Sequence, residues 1–287
     1  MHQILLAILA ALLVLELYLA TRYTLTSAAP PPPTPSVPVI AIDHSWELIF
    51  SDEFDGTEVN ADKWITMFPW GRNGANPSEL QYYAEDAFEF LEGIHRIKAE
   101  QRSMAGYDYT SGIITSAGKF SMTYGYMEVR AKMPHGQGFW PAVWLLPEDE
   151  DWPPEIDVLE ILGHETNTVY MTNHWLTEAN EHVFAQGQLV GPDFAEDFHI
   201  FAVEWSPAEI IWFIDGVERF RTNQGVPAEP MYLLINLAVG GEWPGNPDET
   251  TPFPGYMDLD YVRVYRHSTS QQLPNHIWLP FIQSHSD

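Results

Sequence analysis

The sequence predicts an all-β sandwich, and three observations predict it. Residues 127–133 alternate apolar Met127, Val129, Ala131 and Met133 with Glu128, Arg130 and Lys132, the period of a strand with one buried face. Residues 210–214 and 217–220 are strand-like runs joined by Asp215-Gly216, a dipeptide suited to a two-residue hairpin turn. Helical periodicity is weak throughout, while many short strand-like runs are bounded by glycine or proline.

Residues 4–15 (ILLAILAALLVL) are an unbroken apolar run. The run is short for a membrane span and typical of a signal-peptide core, although only His2 precedes it where basic residues are usual. Thr26-Ser27-Ala28 offers a small-residue cleavage site. Residues 1–28 are therefore expected to be a signal peptide or an uncleaved N-terminal anchor, with a buried helix as the plain alternative. Either of the first two puts the protein outside the cytoplasmic membrane, secreted or tethered at the cell surface. Residues 29–44, which open with APPPPTPSVP, read as a semi-rigid proline-rich linker. The folded part spans 45–266. Within it, 233–239 reads as a buried strand ending at Gly240-Gly241, and 260–266 as the closing strand. The tail, 267–287, carries the apolar stretch IWLPFI, expected to pack on the domain, to add an edge strand or to serve as a sorting signal.

The 287 residues suffice for one large domain with a substantial core. Acids outnumber bases 40 to 13, and a net charge of −27 argues against nucleic acid or an anionic membrane surface as partner. A neutral glycan suits that charge, as does simple solubility. The absence of cysteine excludes disulfides, thiol catalysis and cysteine-based zinc sites. Eleven tryptophans and thirteen tyrosines are enough to furnish both a core and faces on which sugar rings stack. No GxSxG elbow, P-loop, HExxH or GxGxxG occurs.

The hexapeptide at 155–160, Glu-Ile-Asp-Val-Leu-Glu, concentrates three acids in a run otherwise fit for a buried strand. Such a cluster is disfavoured by desolvation and mutual repulsion, so chemistry explains it better than stability does. Side chains alternate along a strand, which puts Glu155 and Asp157 on one face and Glu160 on the other. One extra residue in a β-bulge near Val158–Leu159 brings Glu160 back. Two carboxyls about 5–5.5 Å apart are what retaining glycoside hydrolysis needs. The spacing assigns Glu155 as nucleophile, Glu160 as general acid/base and Asp157 as their electrostatic partner. A solvated acidic strand face is the alternative.

The hexapeptide and its surroundings resemble glycoside hydrolase family 16, most closely its laminarinase-like, endo-β-1,3-glucanase branch. The matching segments run in order: WELIFSDEFDGT (46–57), ELQYY (79–83), YTSGIITSAGKFSMTYGYMEVRAKMP (109–134), GQGFWPAVWLLP (136–147), EIDVLE (155–160), NHW (173–175), FAVEWSPAEIIWFIDGVE (201–218), LINLAVGGEWPG (234–245) and MDLDYVRVYR (257–266). The resemblance implies a β-jelly-roll sandwich of two antiparallel sheets with an open concave cleft, and an enzyme cleaving β-1,3-glucan. It carries the same roles onto Glu155, Asp157 and Glu160. The chain departs from the family at Trp152-Pro153-Pro154, where many members have a small residue before the first glutamate, and at Ile113, where many have arginine. These departures bear on the linkage cleaved. Mixed-linkage glucan, galactan or exopolysaccharide are the alternative substrates, and a non-catalytic glycan-binding jelly roll is the alternative class.

Trp140 and Trp144 lie four apart on one strand and so share a face. The resemblance puts them in the cleft and matches His174 and Trp175 to a His-Trp pair near the acid/base. Asn236 is able to bond sugar hydroxyls or to cap a buried ladder, and Trp243 is placed to stack on a sugar. Glu79 and Gln81 are weaker cleft candidates. The acid run 148–151 reads as a solvated loop. Glu53, the backbone of Gly93 and Asp260 match the ligands of a structural calcium on the family's convex side. Catalysis by two carboxylates needs no cofactor. A monomer is expected, with a polysaccharide as its partner.

Overall fold

The computed structural model describes residues 45–149 and 151–268. The expected signal or anchor at 1–28, the linker at 29–44, Glu150 of the acid run and the tail beyond Ser268 lie outside the described residues. The strands along the chain are β1 (Trp46–Asp52), β2 (Gln81–Tyr83), β3 (Phe88–Leu91), β4 (Ile94–Ala99), β5 (Tyr109–Ser111), β6 (Ile113–Thr115), β7 (Ser121–Met122), β8 (Gly125–Lys132), β9 (Phe139–Pro147), β10 (Glu155–Ile161), β11 (Thr168–Leu176), β12 (His182–Val190), β13 (His199–Trp205), β14 (Ile210–Ile214), β15 (Val217–Thr222), β16 (Met231–Val239) and β17 (Gly255–His267). There is no helix among the described residues.

Two antiparallel sheets form the jelly roll. The outer sheet runs β15-β14-β13-β8-β17-β4-β3, with β1 also paired to β17. The groove sheet runs β12-β11-β10-β9-β16-β6, with β7 also on β16. One core joins them: Met127, Val129 and Ala131 from β8 pack with Val143 and Leu145 from β9, Ile156 from β10 and Ile235 from β16. The alternation predicted for 127–133 is thus realised, with the apolar face turned inward. The predicted hairpin is also present, Ile214 pairing with Val217. Asp215 and Gly216 both take left-handed backbone, φ 51° and 74°, as a primed two-residue turn requires.

The groove sheet carries a second apolar cluster on its opposite face. Ile113, Ala142, Trp144, Leu146, Tyr232 and Leu234 pack there against Phe68 and Tyr83. β9 and β16 are therefore buried on both faces, which explains their near-continuous apolar sequence. The cluster makes the floor and one wall of the site.

Candidate active site

β10 is positioned by its apolar residues. Ile156, Val158, Leu159 and Ile161 all belong to the core between the sheets. Asp157 pairs with Thr172 of β11 and Glu160 with Tyr170, three steps on one strand against two on the other. On β9 the partners are Trp144 and Ala142, with the same mismatch. The bulge falls at Val158–Leu159, where the spacing requires it. Both bulge residues go to the core, and Glu155, Asp157 and Glu160 all face one groove. A bulge interrupts the ladder. The indole Nε1 of Trp212, from the outer sheet, donates to the carbonyl oxygen of Asp157 at 2.8 Å and fixes this stretch through the core.

The groove is open, about 870 Å³, and rimmed by aromatic rings. Trp152 Nε1 donates to Glu155 Oε2 at 2.8 Å, and Trp140 Nε1 donates to Glu160 Oε1 at 3.1 Å. Asp157 shares a side-chain hydrogen bond with Glu155 and sits 3.1 Å from His174 Nε2. That same nitrogen is 3.9 Å from Glu155 Oε1. Among the described residues no lysine or arginine pairs with any of the three acids. Burial, then repulsion from Asp157 and Glu155, pushes Glu160 well above the usual carboxyl range. Burial and Asp157 also push Glu155 up, but His174 and the Trp152 indole pull the other way. Burial pushes Asp157 up to about 7. The trio therefore titrates as a unit and keeps part of its protons near neutrality. Of the two glutamates, Glu155 has the better support as an anion and Glu160 the better support as an acid.

The expected binding residues divide. Trp140 and Trp243 line the groove edge in a T-shaped contact, ring centroids 5.6 Å apart. Trp144 and Asn236 line the floor but bond each other, indole Nε1 donating to Asn236 Oδ1 at 2.8 Å. Asn236 Nδ2 in turn donates to Tyr83 at 3.0 Å, so this amide is spent on the floor. His174 is in the groove; Trp175 is not, and that expectation is corrected. Adjacent strand residues face opposite ways. Trp175 lies over Gly225 instead, where an added Cβ would fall 2.0 Å from the indole. Gln81 is fully buried, its amide donating to Glu79 and its carbonyl accepting from Val239 N. Glu79 does line the groove, against the surface-loop alternative. Glu148, Asp149 and Asp151 of the acid run are exposed.

Sequence reasoning missed Trp70, Tyr170 and Phe184 of the groove lining and His182 beside it. Trp70 is 48% exposed and stacks flat on Phe68 at 4.4 Å. The cation set does not fit. Both Glu53 oxygens accept from Arg263, at 2.9 and 2.7 Å, and Asp260 accepts from Arg130. A calcium ion there would have to share its carboxylates with two guanidiniums. Gly93 serves a turn, φ 81°, between β3 and β4.

A jelly roll with paired carboxyls across an aromatic groove defines a glycosidase that works through two acids. The sequence profile of glycosyl hydrolases family 16 matches residues 83–263, and the chain belongs to that family. It is 37% identical to a beta-glucanase of Rhodothermus marinus over 77% of this chain and 85% of that one. It also resembles the laminarinase catalytic domain of Thermotoga maritima MSB8, with a TM-score of 0.71 and 38% identity over 78% of this chain and 99% of that domain. The endo-β-1,3-glucanase of Pyrococcus furiosus gives 0.70 and 37% over 78% and 95%. The chain spans about half of longer relatives such as the endo-1,3-1,4-beta-glycanase ExsH of Rhizobium meliloti (strain 1021), 34% identical over 78% of this chain and 52% of that protein.

Proposed function

We propose that this protein is a retaining, endo-acting hydrolase of β-1,3-glucan, secreted or held at the cell surface and working as a monomer. Glu160, protonated at rest, gives its proton to the glycosidic oxygen while Glu155 attacks the anomeric carbon. The sugar–oxygen bond breaks and an ester to Glu155 forms. Water, deprotonated by Glu160, then displaces Glu155 and restores both residues with net retention. Asp157 holds a hydrogen bond to Glu155 and keeps the two glutamates from ionising together.

The observation that carries this reading is the bulge that returns Glu160 to the groove beside Glu155. An open groove suits internal attack on a long chain, and exposed rings at Trp70, Trp152 and Trp243 suit successive sugars. The printed names of the relatives support β-1,3-linkages. The mixed-linkage activity in the name of ExsH makes lichenan the main competing substrate.

Reducing-end release is to be measured on laminarin, lichenan, agarose and xyloglucan, with the anomer formed first read by proton NMR. Laminarin is expected to be cleaved fastest, giving the β-anomer and a ladder of oligosaccharides. Inversion would remove Glu155 as nucleophile. Binding to laminarin without new reducing ends would make the protein a glycan-binding module.

A further inference from the structure

His182 has no part in the chemistry above, yet it is tied to it. His182 opens β12, and His174 lies across from it on β11, one diagonal position away. His182 Nε2 is 2.9 Å from His174 Nδ1, and His174 Nε2 is 3.1 Å from Asp157 Oδ2. Asp157 continues the chain to Glu155. The Trp152 ring flanks His182 at 4.7 Å, and Trp152 itself donates to Glu155.

A neutral imidazole donates from one nitrogen and accepts at the other. The chain of four groups therefore has two directions. Running inward, His182 donates to His174 and His174 to Asp157, whose other oxygen is then free either to donate to Glu155 or to accept from it. Running outward, every donor is reversed and Glu155 must supply the proton. Only the inward direction allows Glu155 to be the anion. We infer that His182 is a positioning residue: its Nε2–H fixes His174 as the tautomer that donates from Nε2 to Asp157, the one arrangement in which Glu155 is able to be the anion. The inference rests on the reading of Glu155 as nucleophile.

The ionisable groups facing the pair are Asp157 and Glu155 from β10. The loop before β10 brings Trp152 and β12 brings Phe184, neither charged. Glu178 and Glu181, on the turn from β11 to β12, are exposed. Burial holds both histidines below their usual pKa, with His174 adding to this for His182, which favours the neutral imidazoles.

The test combines kinetics on laminarin with nitrogen-15 NMR of the imidazoles, for wild type, His182→Ala and His182→Gln. A glutamine amide is able to donate to His174 Nδ1 in place of the imidazole. Wild-type His174 is expected as the Nε2–H tautomer, in a mixture once His182 is alanine, and as Nε2–H again with glutamine. His182→Ala is expected to lower kcat about fivefold to tenfold, the size of one lost hydrogen bond, with KM changed less than about twofold. The acidic limb of kcat/KM should move to higher pH, because Glu155 loses support as an anion, and His182→Gln should restore it. An Nδ1–H tautomer in wild type, or a wild-type kcat and acidic limb in His182→Ala, overturns the inference. A wild type inactive on every glycan sinks the substrate reading instead, and the tautomer result still decides the role of His182.

Discussion

The molecule holds two sets of buried or half-buried acids, and their partners differ. In and beside the outer sheet, Glu53, Glu128, Asp258 and Asp260 each have a cation. Glu53 takes two hydrogen bonds from Arg263; Asp258 sits 2.8 Å from Arg96 and 3.4 Å from Lys132; Asp260 pairs with Arg130. Glu128, pushed up to about 7 by burial, has Arg263 directly across the sheet at 3.8 Å. These are cross-strand charge pairs, the ordinary means of stabilising a sheet. The groove trio has one neighbouring histidine and no lysine or arginine. Compensated acids hold this fold together; uncompensated ones are kept at a cost and are free to change charge during a reaction.

The sharpest break in the comparison is turnover. Glu155→Gln and Glu160→Gln should each lower kcat on laminarin at least about a thousandfold, within the range known for lost acid or nucleophile function. The circular dichroism spectrum should not change. A variant that keeps a tenth of the wild-type rate would return the trio to the structural class.

Stability should respond with opposite signs. Arg263→Met strands Glu53 and Glu128, and is expected to cost about 2 kcal/mol, or a Tm lowered by roughly 4–8 °C. Glu155→Gln should instead raise Tm near pH 7.5. The folded protein holds the trio's protons more tightly than the unfolded chain, so its stability falls as pH rises from about 4.5 through about 7. The gain from Glu155→Gln should therefore shrink at pH 4.5, where the acid is already neutral. Thermal melts at the two pH values check this, and a Glu155→Gln that destabilises at both would be wrong for an uncompensated charge.

The smallest expected effect separates groove from core among the aromatics. Trp243→Ala removes a sugar-facing ring and should raise KM on laminarin about fivefold to twentyfold, as a lost stacking contact does. Trp175→Ala should leave KM unchanged and lower Tm, since that ring covers Gly225. If both variants shift KM alike, the groove extends to the other face of β11.

The bulge was legible because five positions separate Glu155 from Glu160 and a strand has a period of two. The hairpin at Asp215-Gly216 was legible for the same local reason. Trp175 was misplaced because a paired motif overrode the alternation that puts it opposite His174. The partners of Glu53 and Asp260 were hidden by distance along the chain: 210 residues to Arg263 and 130 to Arg130. Trp70 stands in irregular backbone before β2, where no periodicity says which way a ring points. Phe184 is on an edge strand whose burial alternates, and it falls on the exposed side, where an apolar ring is not what alternation leads one to expect.

The bulge stores one surplus residue in the core. Val158 and Leu159 occupy the core together because one residue too many was fitted between two neighbouring strands. Substitutions of similar size there should be forgiven, since the surplus would remain. A chain shortened by that one surplus residue would read Glu-Ile-Asp-X-Glu, where plain alternation keeps the three acids on one face without a bulge, so the stretch would lose its kink and not its proton donor.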